Sequence, residues 1–270
     1  MGSDGVGHGL VGRGMSGVAI QRYEMGTEAA AEISSDAVMT LQDAAFGWRG
    51  QAAVWAVSGR FERGSMTAIA GPNGAGKSTL IKGMVGLLRP LAGSLQMDSG
   101  ERRRMAWLPQ AAELDRSFPI TVLDMVATGA WRRVGAWRRF RHEETQRVWQ
   151  ALEAVGLADQ AGRMVGALSG GQMQRALFAR LMLQDAQVLL LDEPFAAVDS
   201  HTSDALVQLL CGWHQEGRTV VAVLHDLAMV REYFAQTVLL AGRQIAWGST
   251  AEALTAGNLA MARGTLQEWL

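Results

Sequence analysis

The 270-residue sequence has a single cysteine, no excess of charge and no long apolar run. Because Cys211 stands alone, no disulfide can form within the chain, which suits a reducing compartment. The 25 basic and 26 acidic residues leave a formal net charge of -1, and this balance gives no support to a nucleic-acid partner. No stretch of about 18 uncharged apolar residues occurs, so no bilayer-spanning helix is predicted.

Two further absences concern metal ions and secretion. The five histidines are scattered, and with the one cysteine and the acidic residues they form no cluster at metal-ligand spacing. The N-terminus lacks the charged start and apolar middle of a secretion signal. The 49% hydrophobic residues predict a globular protein of one or two domains. Any passage through a membrane must therefore come from other chains.

A glycine-rich turn between a predicted strand and a predicted helix is the strongest positive signal. It matches the phosphate-binding pattern G-x-x-x-x-G-K-[ST] at every position. Glycines let backbone N–H groups converge on phosphate oxygens, and the helix N-terminus adds partial positive charge. Met66 to Ala70 predicts the strand and Leu80 to Leu88 the apolar face of the helix. The predicted nucleotide-binding residues are Gly71, Pro72, Asn73, Gly74, Ala75, Gly76, Lys77, Ser78 and Thr79.

Polar side chains follow three other predicted strands. Asp192 and Glu193 end the apolar run that begins at Val188, and His225 follows the run from Thr219 to Leu224. Gln110 follows the short strand Met105 to Leu108. Open α/β sheets place ligands at the carboxyl ends of their strands. We therefore expect Asp192 to hold the water shell of Mg²⁺, Glu193 to take a proton from attacking water, and Gln110 to reach either one.

A second helix N-terminus suited to an anion follows the sequence Leu168-Ser169-Gly170-Gly171-Gln172. Ser169 is a natural N-cap, and the glycines leave backbone N–H groups facing outward. An ordinary capped loop is the alternative, and it would be favoured if this motif stood alone.

Three regions are assigned by composition and periodicity. Residues 1–37 are rich in Gly, Ala and Ser and are predicted to be a disordered extension, so that 38–270 form the ordered domain. Within that domain, residues from about 111 to 184 show helical periodicity and predict a helical insertion on an α/β core. The basic, aromatic segment 131–141 is either a solvated surface or a contact with a membrane-embedded partner or anionic lipid.

An aromatic side chain in the first predicted hairpin could stack on adenine. Met39 to Phe46 and Ala52 to Phe61 predict strands joined by a turn at 47–50. Trp48 is the preferred stacking residue and Phe46 the second candidate. Simple packing within a half-buried sheet is an equally good interpretation of either residue.

The order of these motifs resembles the ATP-binding subunit of ABC transporters, from about Met39 to the C-terminus. The resemblance implies a P-loop NTPase core with a mixed, mainly parallel sheet, an N-terminal antiparallel β subdomain and an inserted α-helical subdomain. It also implies a head-to-tail homodimer in which the Leu-Ser-Gly-Gly-Gln helix of one copy faces the γ-phosphate held by the other. ATP and Mg²⁺ are the implied cofactors.

The same resemblance implies a role for each motif residue. Lys77 and Ser78 bind phosphate and Mg²⁺, Gln110 senses it, and Ser169, Gly170, Gly171 and Gln172 close the opposite site. Asp192 supports the metal, Glu193 is the general base, Asp199 links the subunits and His225 contacts the γ-phosphate.

Residues 117–122, 192–195, 225–227 and 231–234 are similar to the zinc and manganese importer branch of that family. Two departures are Ala196-Ala197, where the branch often has a glycine, and Trp48 at the adenine-stacking position. The resemblance implies two permease subunits, an extracytoplasmic metal-binding protein and a peripheral position on the cytoplasmic face of the cell membrane. Iron or iron-siderophore import and a soluble ABC ATPase are the alternatives. A GTPase switch is disfavoured because the guanine-reading pattern Asn-Lys-x-Asp is absent.

Overall fold

The computed structural model describes residues 36–135 and 140–267, which belong to the larger of two units into which the chain divides. The strands of this part are β1 (Ala37–Trp48), β2 (Gln51–Glu62), β3 (Met66–Ala70), β4 (Ala92–Met97), β5 (Met105–Leu108), β6 (Val188–Asp192), β7 (Thr219–Val223), β8 (Gln236–Leu240) and β9 (Gln244–Ser249). The α-helices are α1 (Lys77–Val85), α2 (Ser99–Arg103), α3 (Val122–Ala127), α4 (Trp131–Val134), α5 (His142–Ala154), α6 (Gly170–Leu183), α7 (Ser200–Gln215), α8 (Leu227–Tyr233), α9 (Thr250–Ala253) and α10 (Ala256–Gln267). Short 3₁₀ turns lie at Ala111–Glu113, Thr128–Ala130, Ala158–Gln160 and Val165–Ala167.

A six-stranded sheet forms the core, with the strand order β5-β6-β7-β3-β8-β9. Its first five strands are parallel and β9 is antiparallel to β8. Strands β3, β6 and β7 are fully buried and are apolar apart from Thr67, Asp192 and Thr219, as expected for parallel strands covered on both faces. The expected P-loop NTPase fold with a mixed, mainly parallel sheet is confirmed.

The register of this sheet brings four strand ends to one edge. Ile69 of β3 pairs with Val223 of β7, and Val223 also pairs with Asp192 of β6. Leu108 of β5 pairs with Leu191, one residue before Asp192. Because these strands are parallel, the residues that follow them emerge side by side.

Helices and a second sheet cover the two faces of the core. Alternate residues of the parallel strands point to opposite sides, so that Ile69, Leu190 and Val223 face one core cluster, and Ala68, Leu191 and Ala222 face the other. Helix α1 packs on the first side together with β1 and β2. Helix α6 lies on the second side with α3 and α5.

The second sheet is antiparallel, with the order β2-β1-β4. The predicted first hairpin is present, but its strands continue through Gly47 and Trp48, so the turn contains only Arg49 and Gly50. Strand β4 and helix α2 were not predicted. Among the described residues, no helix combines the length and apolar character that a membrane crossing needs.

The domain assignments of the sequence remain predictions. Of the proposed extension 1–37, only Asp36 and Ala37 lie within the described residues, and Ala37 already begins β1. The described residues between 111 and 184 form helices and 3₁₀ turns and no strand, apart from one isolated bridge between Thr121 and Met164. Their description as an inserted subdomain is an inference from this helical content.

Candidate functional site

The phosphate-binding loop joins β3 to α1 through two glycines that no other residue could replace without strain. Gly71 has φ of 148°, and a Cβ atom there would lie 2.1 Å from the carbonyl oxygen of Leu240. Gly76, the N-cap of α1, has φ of 84°, and a Cβ would lie 2.6 Å from the carbonyl oxygen of Ala53. The backbone therefore curls tightly before α1 begins at Lys77.

Lys77 is folded back over its own loop. Its Nζ donates to the carbonyl oxygens of Gly71 at 2.9 Å and Pro72 at 2.8 Å, and the residue is only 5% exposed. Burial lowers the pKa of Lys77, although the charges of Glu193 and Asp192 oppose that shift. The ammonium group thus lies inside the ring of backbone where phosphate oxygens would bind.

Ser78 and Asp192 form a hydrogen-bonded pair beside the loop. The Ser78 hydroxyl donates to Asp192 Oδ1 at 2.9 Å, whereas Asp192 Oδ2 is buried without a partner among the described residues. Burial raises the pKa of Asp192 to about 6; the Ser78 hydrogen bond opposes this shift, and the neighbouring Glu193 adds to it. A buried carboxylate oxygen without a donor, next to a hydroxyl, fits the oxygen ligands that Mg²⁺ prefers.

Glu193 is held between two of the other predicted site residues. Gln110 Nε2 donates to its Oε2 at 2.7 Å, and His225 Nε2 lies 2.6 Å from its Oε1. Glu193 has φ of 50°, an uncommon conformation for a residue other than glycine. Since a carboxylate has about four acceptor positions, these two contacts orient it and leave it able to accept a further proton donor.

A cavity of about 220 Å³ opens beside this carboxylate. Glu193, His225 and Asp226 line it together with Val223 and Ser203. A second cavity of about 270 Å³ lies between the phosphate loop, His225 and helix α10. The structure thus brings Gln110, Glu193 and His225 together and places His225 at the border of the phosphate loop.

The Ser169–Gln172 segment begins α6 with a capping box. The backbone N–H of Gln172 donates to Ser169 Oγ at 3.2 Å, and the N–H of Ser169 donates to Gln172 Oε1 at 2.9 Å. This segment lines a cleft of about 320 Å³ together with residues 197–199. Within the described part of the chain, no phosphate-loop residue lines that cleft. The start of α6 and the phosphate loop therefore lie in two separate places on the described chain.

The loop after Glu193 borders the same cleft. Asp199 caps α7, because its carboxylate accepts from the backbone N–H and the hydroxyl of Thr202 at 2.9 and 2.8 Å. These hydrogen bonds lower the pKa of Asp199. In the pair Ala196-Ala197, one of the two departures from the branch pattern, Ala197 has φ of 59° and is one of six residues other than glycine with positive φ in the described chain. Ala197 therefore adopts a left-handed backbone conformation that glycine would adopt without strain.

The structure separates the two candidates for adenine stacking. Phe46 is fully buried against Gly83 of α1, so the second candidate is wrong. Trp48 is 54% exposed, and its ring lies 5.9 Å from Lys82 Nζ on α1. An exposed ring beside the helix of the phosphate loop keeps Trp48 available for stacking, and that role remains a prediction.

The basic, aromatic segment is only partly described, since residues 136–139 lie outside the described ranges. Trp131 is 49% exposed. Arg133 forms an ion pair with Glu144 of α5. At this position the positive charge is therefore paired within the chain, as on an ordinary solvated surface. Docking of a partner on this segment remains a prediction.

One buried residue beside the site was missed in the sequence. Gln174 of α6 is fully buried, and its Nε2 donates to the carbonyl oxygen of Pro194 at 2.7 Å. The available signal was a polar residue on the apolar face of the predicted helix. A buried amide requires a hydrogen-bond partner, so such a residue indicates a specific contact. Arg263 of α10, which lines the cavity beside the phosphate loop, gave no such signal.

A phosphate loop, a Ser–Asp pair and a half-buried glutamate lie at adjacent ends of parallel strands. Together they define a P-loop nucleoside-triphosphate hydrolase. The chain belongs to the ABC transporter family, whose profile matches residues 54–196. It is therefore an ATPase that binds ATP. The expected family and enzyme class are confirmed.

Curated relatives with specific names are similar to most of the chain. The zinc transport system ATP-binding protein TroB of Treponema pallidum is 41% identical over 230 residues, which cover 83% of this chain and 86% of the relative. The manganese transport system ATP-binding protein MntB of Listeria innocua is 37% identical over 230 residues, covering 84% and 96%.

Solved structures agree with this family. An inward-facing ABC transporter superposes with a TM-score of 0.73 at 28% identity, covering 85% of this chain and 90% of the other. A dimeric ATP-binding cassette in a post-hydrolysis state, bound to ADP and Pi, gives a TM-score of 0.68 at 25% identity, covering 78% and 98%.

Proposed function

We propose that this chain is the ATP-hydrolysing, energy-coupling subunit of an importer for divalent metal ions, zinc or manganese. The named relatives supply the support for the transported ion, since one serves a zinc system and the other a manganese system. Among the described residues no group of three or more His, Cys, Asp or Glu could hold the transported ion, and the proposal assigns selection of that ion to other subunits.

The active unit in this proposal is a head-to-tail homodimer with two composite sites. The observation that carries it is the separation of the Ser169–Gln172 cleft from the phosphate loop of the same chain. A helix N-terminus that presents backbone N–H groups to an anion needs a phosphate from elsewhere. A second copy, turned head to tail, supplies it, and Asp199 at the rim of the cleft lies where the copies would meet.

Each residue of the site then has a chemical task. The backbone N–H groups of Asn73, Gly74 and Gly76 and the Lys77 ammonium hold the β- and γ-phosphates. To do so, Lys77 exchanges its two carbonyl contacts for phosphate oxygens. Ser78 and Asp192 hold Mg²⁺, with Gln110 able to add its amide oxygen, and the ion supplies charge neutralisation at the phosphates.

Glu193 orients the attacking water and accepts its proton. Its carboxylate is fixed by Gln110 on one oxygen and His225 on the other, so the free acceptor positions point in a defined direction. His225 donates to the γ-phosphate when it turns from Glu193. In the Ser169–Gln172 segment of the second copy, the capping box leaves the backbone N–H groups of Gly170 and Gly171 unused, and these stabilise the charge that spreads over that phosphate. Trp48 stacks on the adenine.

The remaining partners are two permease subunits in the membrane and an extracytoplasmic binding protein that delivers the metal ion. The ATPase chain would then bind peripherally to the permease at the cytoplasmic face of the membrane. Closure of the dimer on ATP, and reopening after hydrolysis, drive the permease between its two orientations.

Replacing the proposed base tests the dimer and the chemistry together. Glu193→Gln should retain ATP binding, lose at least about a hundredfold in turnover, and form a dimer in MgATP, because binding proceeds while proton transfer does not. Light scattering after size exclusion gives the mass of the particle. Glu153→Gln, an exposed glutamate of α5, is the matched control and should behave as the unchanged protein. Undiminished turnover, or a particle that stays monomeric in saturating MgATP, would contradict the proposal.

A further inference from the structure

A buried amide links the N-terminal part of α6 to the loop that follows Glu193. Gln174 lies in α6, five residues after the N-cap Ser169, and its side chain donates to the carbonyl oxygen of Pro194 at 2.7 Å. Pro194 directly follows Glu193. Because a carbonyl oxygen only accepts hydrogen bonds, the NH₂ group of Gln174 must face it, which fixes the orientation of the amide.

This contact buries a polar side chain at a cost. Gln174 is 0% exposed, and its Oε1 has no hydrogen-bond partner among the described residues. Its neighbours in α6, among them Met173 and Leu177, belong to the apolar core. An apolar side chain of equal length would fill the same space without an unpaired oxygen, so packing alone does not account for glutamine here.

A second contact joins the same two segments. A Cβ on Gly170 would lie 3.1 Å from the Ala197 Cβ, and one on Gly171 would lie 3.0 Å from the Ala197 oxygen. The first turn of α6 therefore rests against the loop that leads from Glu193 through Pro194 to Ala197. A movement of this turn is passed to the loop by contact at Ala197 and by hydrogen bond at Pro194.

We propose that Gln174 is a positioning residue that ties the γ-phosphate-binding turn of α6 to Glu193, so that each site of the dimer switches on the other. This coupling requires the two-copy arrangement proposed above. There, the Ser169 turn of one copy binds ATP held by its partner, while Glu193 of that same copy acts on the ATP in its own loop. Binding of ATP at one site thereby positions Glu193, the proposed base, at the other site. This coupling gives positive cooperativity.

Gln174→Met tests this role, because it keeps the length of the side chain and removes the donor. Full-length unchanged protein should hydrolyse ATP with a Hill coefficient of about 1.5 to 2, and the variant with one of about 1. Its kcat should fall about tenfold or more because Glu193 is misplaced, while KM for ATP changes little. Gln184→Met is the matched control, since this residue at the other end of α6 also buries an amide oxygen without a partner.

A dimerisation assay separates this role from the proposed function. Glu193→Gln and Glu193→Gln/Gln174→Met should form the same amount of dimer in MgATP. If Glu193→Gln itself stays monomeric, the dimer is wrong and the coupling with it. If it dimerises but Gln174→Met keeps the Hill coefficient and kcat of unchanged protein, or unchanged protein shows no cooperativity, only the coupling is wrong. Loss of the dimer in the double variant alone would assign Gln174 to assembly and likewise overturn positioning.

Thermal unfolding guards against a purely structural effect. A Gln174→Met protein with unchanged Tm and a lost Hill coefficient supports positioning. A lowered Tm together with an unchanged Hill coefficient contradicts it. Gln174→Leu offers a second substitution without a donor if the methionine variant does not fold.

Discussion

Asp192 shows how a residue suited to Mg²⁺ destabilises the protein that carries it. Its carboxyl group is fully buried, one oxygen has no donor, and its pKa is raised to about 6. The ionised form is therefore less favourable in the folded chain than in the unfolded chain. A site that binds a cation commonly keeps such a charge at the expense of stability.

The pH dependence of unfolding follows from the sign of this shift. Between pH values of about 4 and 6 the folded chain binds the proton that the unfolded chain has lost, so stability falls as pH rises. Asp192→Asn removes the effect and should raise the free energy of unfolding at pH 7.5 by up to roughly 3 kcal/mol, at about 1.4 kcal/mol per pKa unit. Urea unfolding without nucleotide or Mg²⁺ measures the difference, which should shrink towards pH 4.

Asp204→Asn provides the control for this experiment, because Asp204 is an exposed carboxylate on α7. It should leave the free energy of unfolding unchanged at both pH values. If unchanged protein proves more stable than Asp192→Asn at pH 7.5, the carboxylate is satisfied in a way that the structure does not describe.

At the scale of the element, two glycines in the turn into α1 allow the cost of backbone strain to be distinguished from the cost of a steric clash. Gly74 and Gly76 have nearly equal φ of 80° and 84°. A Cβ at Gly74 would meet nothing within 4 Å, whereas at Gly76 it would lie 2.6 Å from the Ala53 oxygen and 2.7 Å from the Val54 Cβ. The two positions therefore differ in their contact with β2: the strand packs against Gly76, whereas Gly74 faces open space.

Substitution by alanine should reveal this difference. Gly74→Ala adds only left-handed strain and should cost about 1 kcal/mol of the free energy of unfolding. Gly76→Ala adds the clash with β2 and should cost roughly 1 to 3 kcal/mol more. Urea unfolding of both variants gives the comparison, and equal losses would show that β2 yields to the added methyl group.

The elements that could be predicted from the sequence are those with a strong apolar pattern or a capping residue. Buried runs such as Val188–Asp192, and the N-cap Ser169, specify their elements locally. Strand β4 escaped because Ala92–Met97 contains Gly93 and Ser94 and is half exposed, so that its pairing with β1 decides its structure. Helix α1 begins at Lys77, three residues before the predicted apolar face, because Gly76 caps it by conformation alone.

The site was predictable in its composition and less so in its contacts. Parallel strands guarantee that Asp192, Glu193, Gln110 and His225 emerge at one edge. No pattern in the sequence indicates that Gln110 and His225 both hold Glu193, or that Gln174 reaches Pro194, since those contacts join residues 20 to 83 positions apart. Phe46 and Trp48, two positions apart, were separated only by the packing of Phe46 on Gly83.

At the scale of the whole molecule, the proposed coupling to transport distinguishes this chain from a free-standing ATPase. Among the described residues there is no helix suited to crossing a membrane and no group of three or more His, Cys, Asp or Glu that could hold a metal ion. The proposal assigns both tasks to partner subunits. In such a complex, closure of the ATPase dimer and reorientation of the permease are coupled equilibria. Delivery of the transported ion to the permease should therefore change the rate of ATP hydrolysis.

The complete complex in lipid vesicles, with permease and binding protein, provides the corresponding measurement. ATP turnover should rise when the binding protein is loaded with Zn²⁺ or Mn²⁺ and should stay at its basal value with the metal-free protein. Fe³⁺-siderophore is the comparison that tests the alternative cargo. Equal turnover with and without every ligand would favour an ATPase that is not linked to transport.

The solitary Cys211 makes the chain convenient for site-directed spin or fluorophore labelling. It is partly buried in α7, and burial raises the pKa of its thiol, so little reactive thiolate forms near neutral pH. A cysteine engineered at the exposed Glu153 or Asp204 position, outside the proposed binding machinery, would react with a maleimide or nitroxide reagent faster than Cys211. Inter-label distances recorded through a turnover cycle would then report how the copies approach and part, without first clearing the native background.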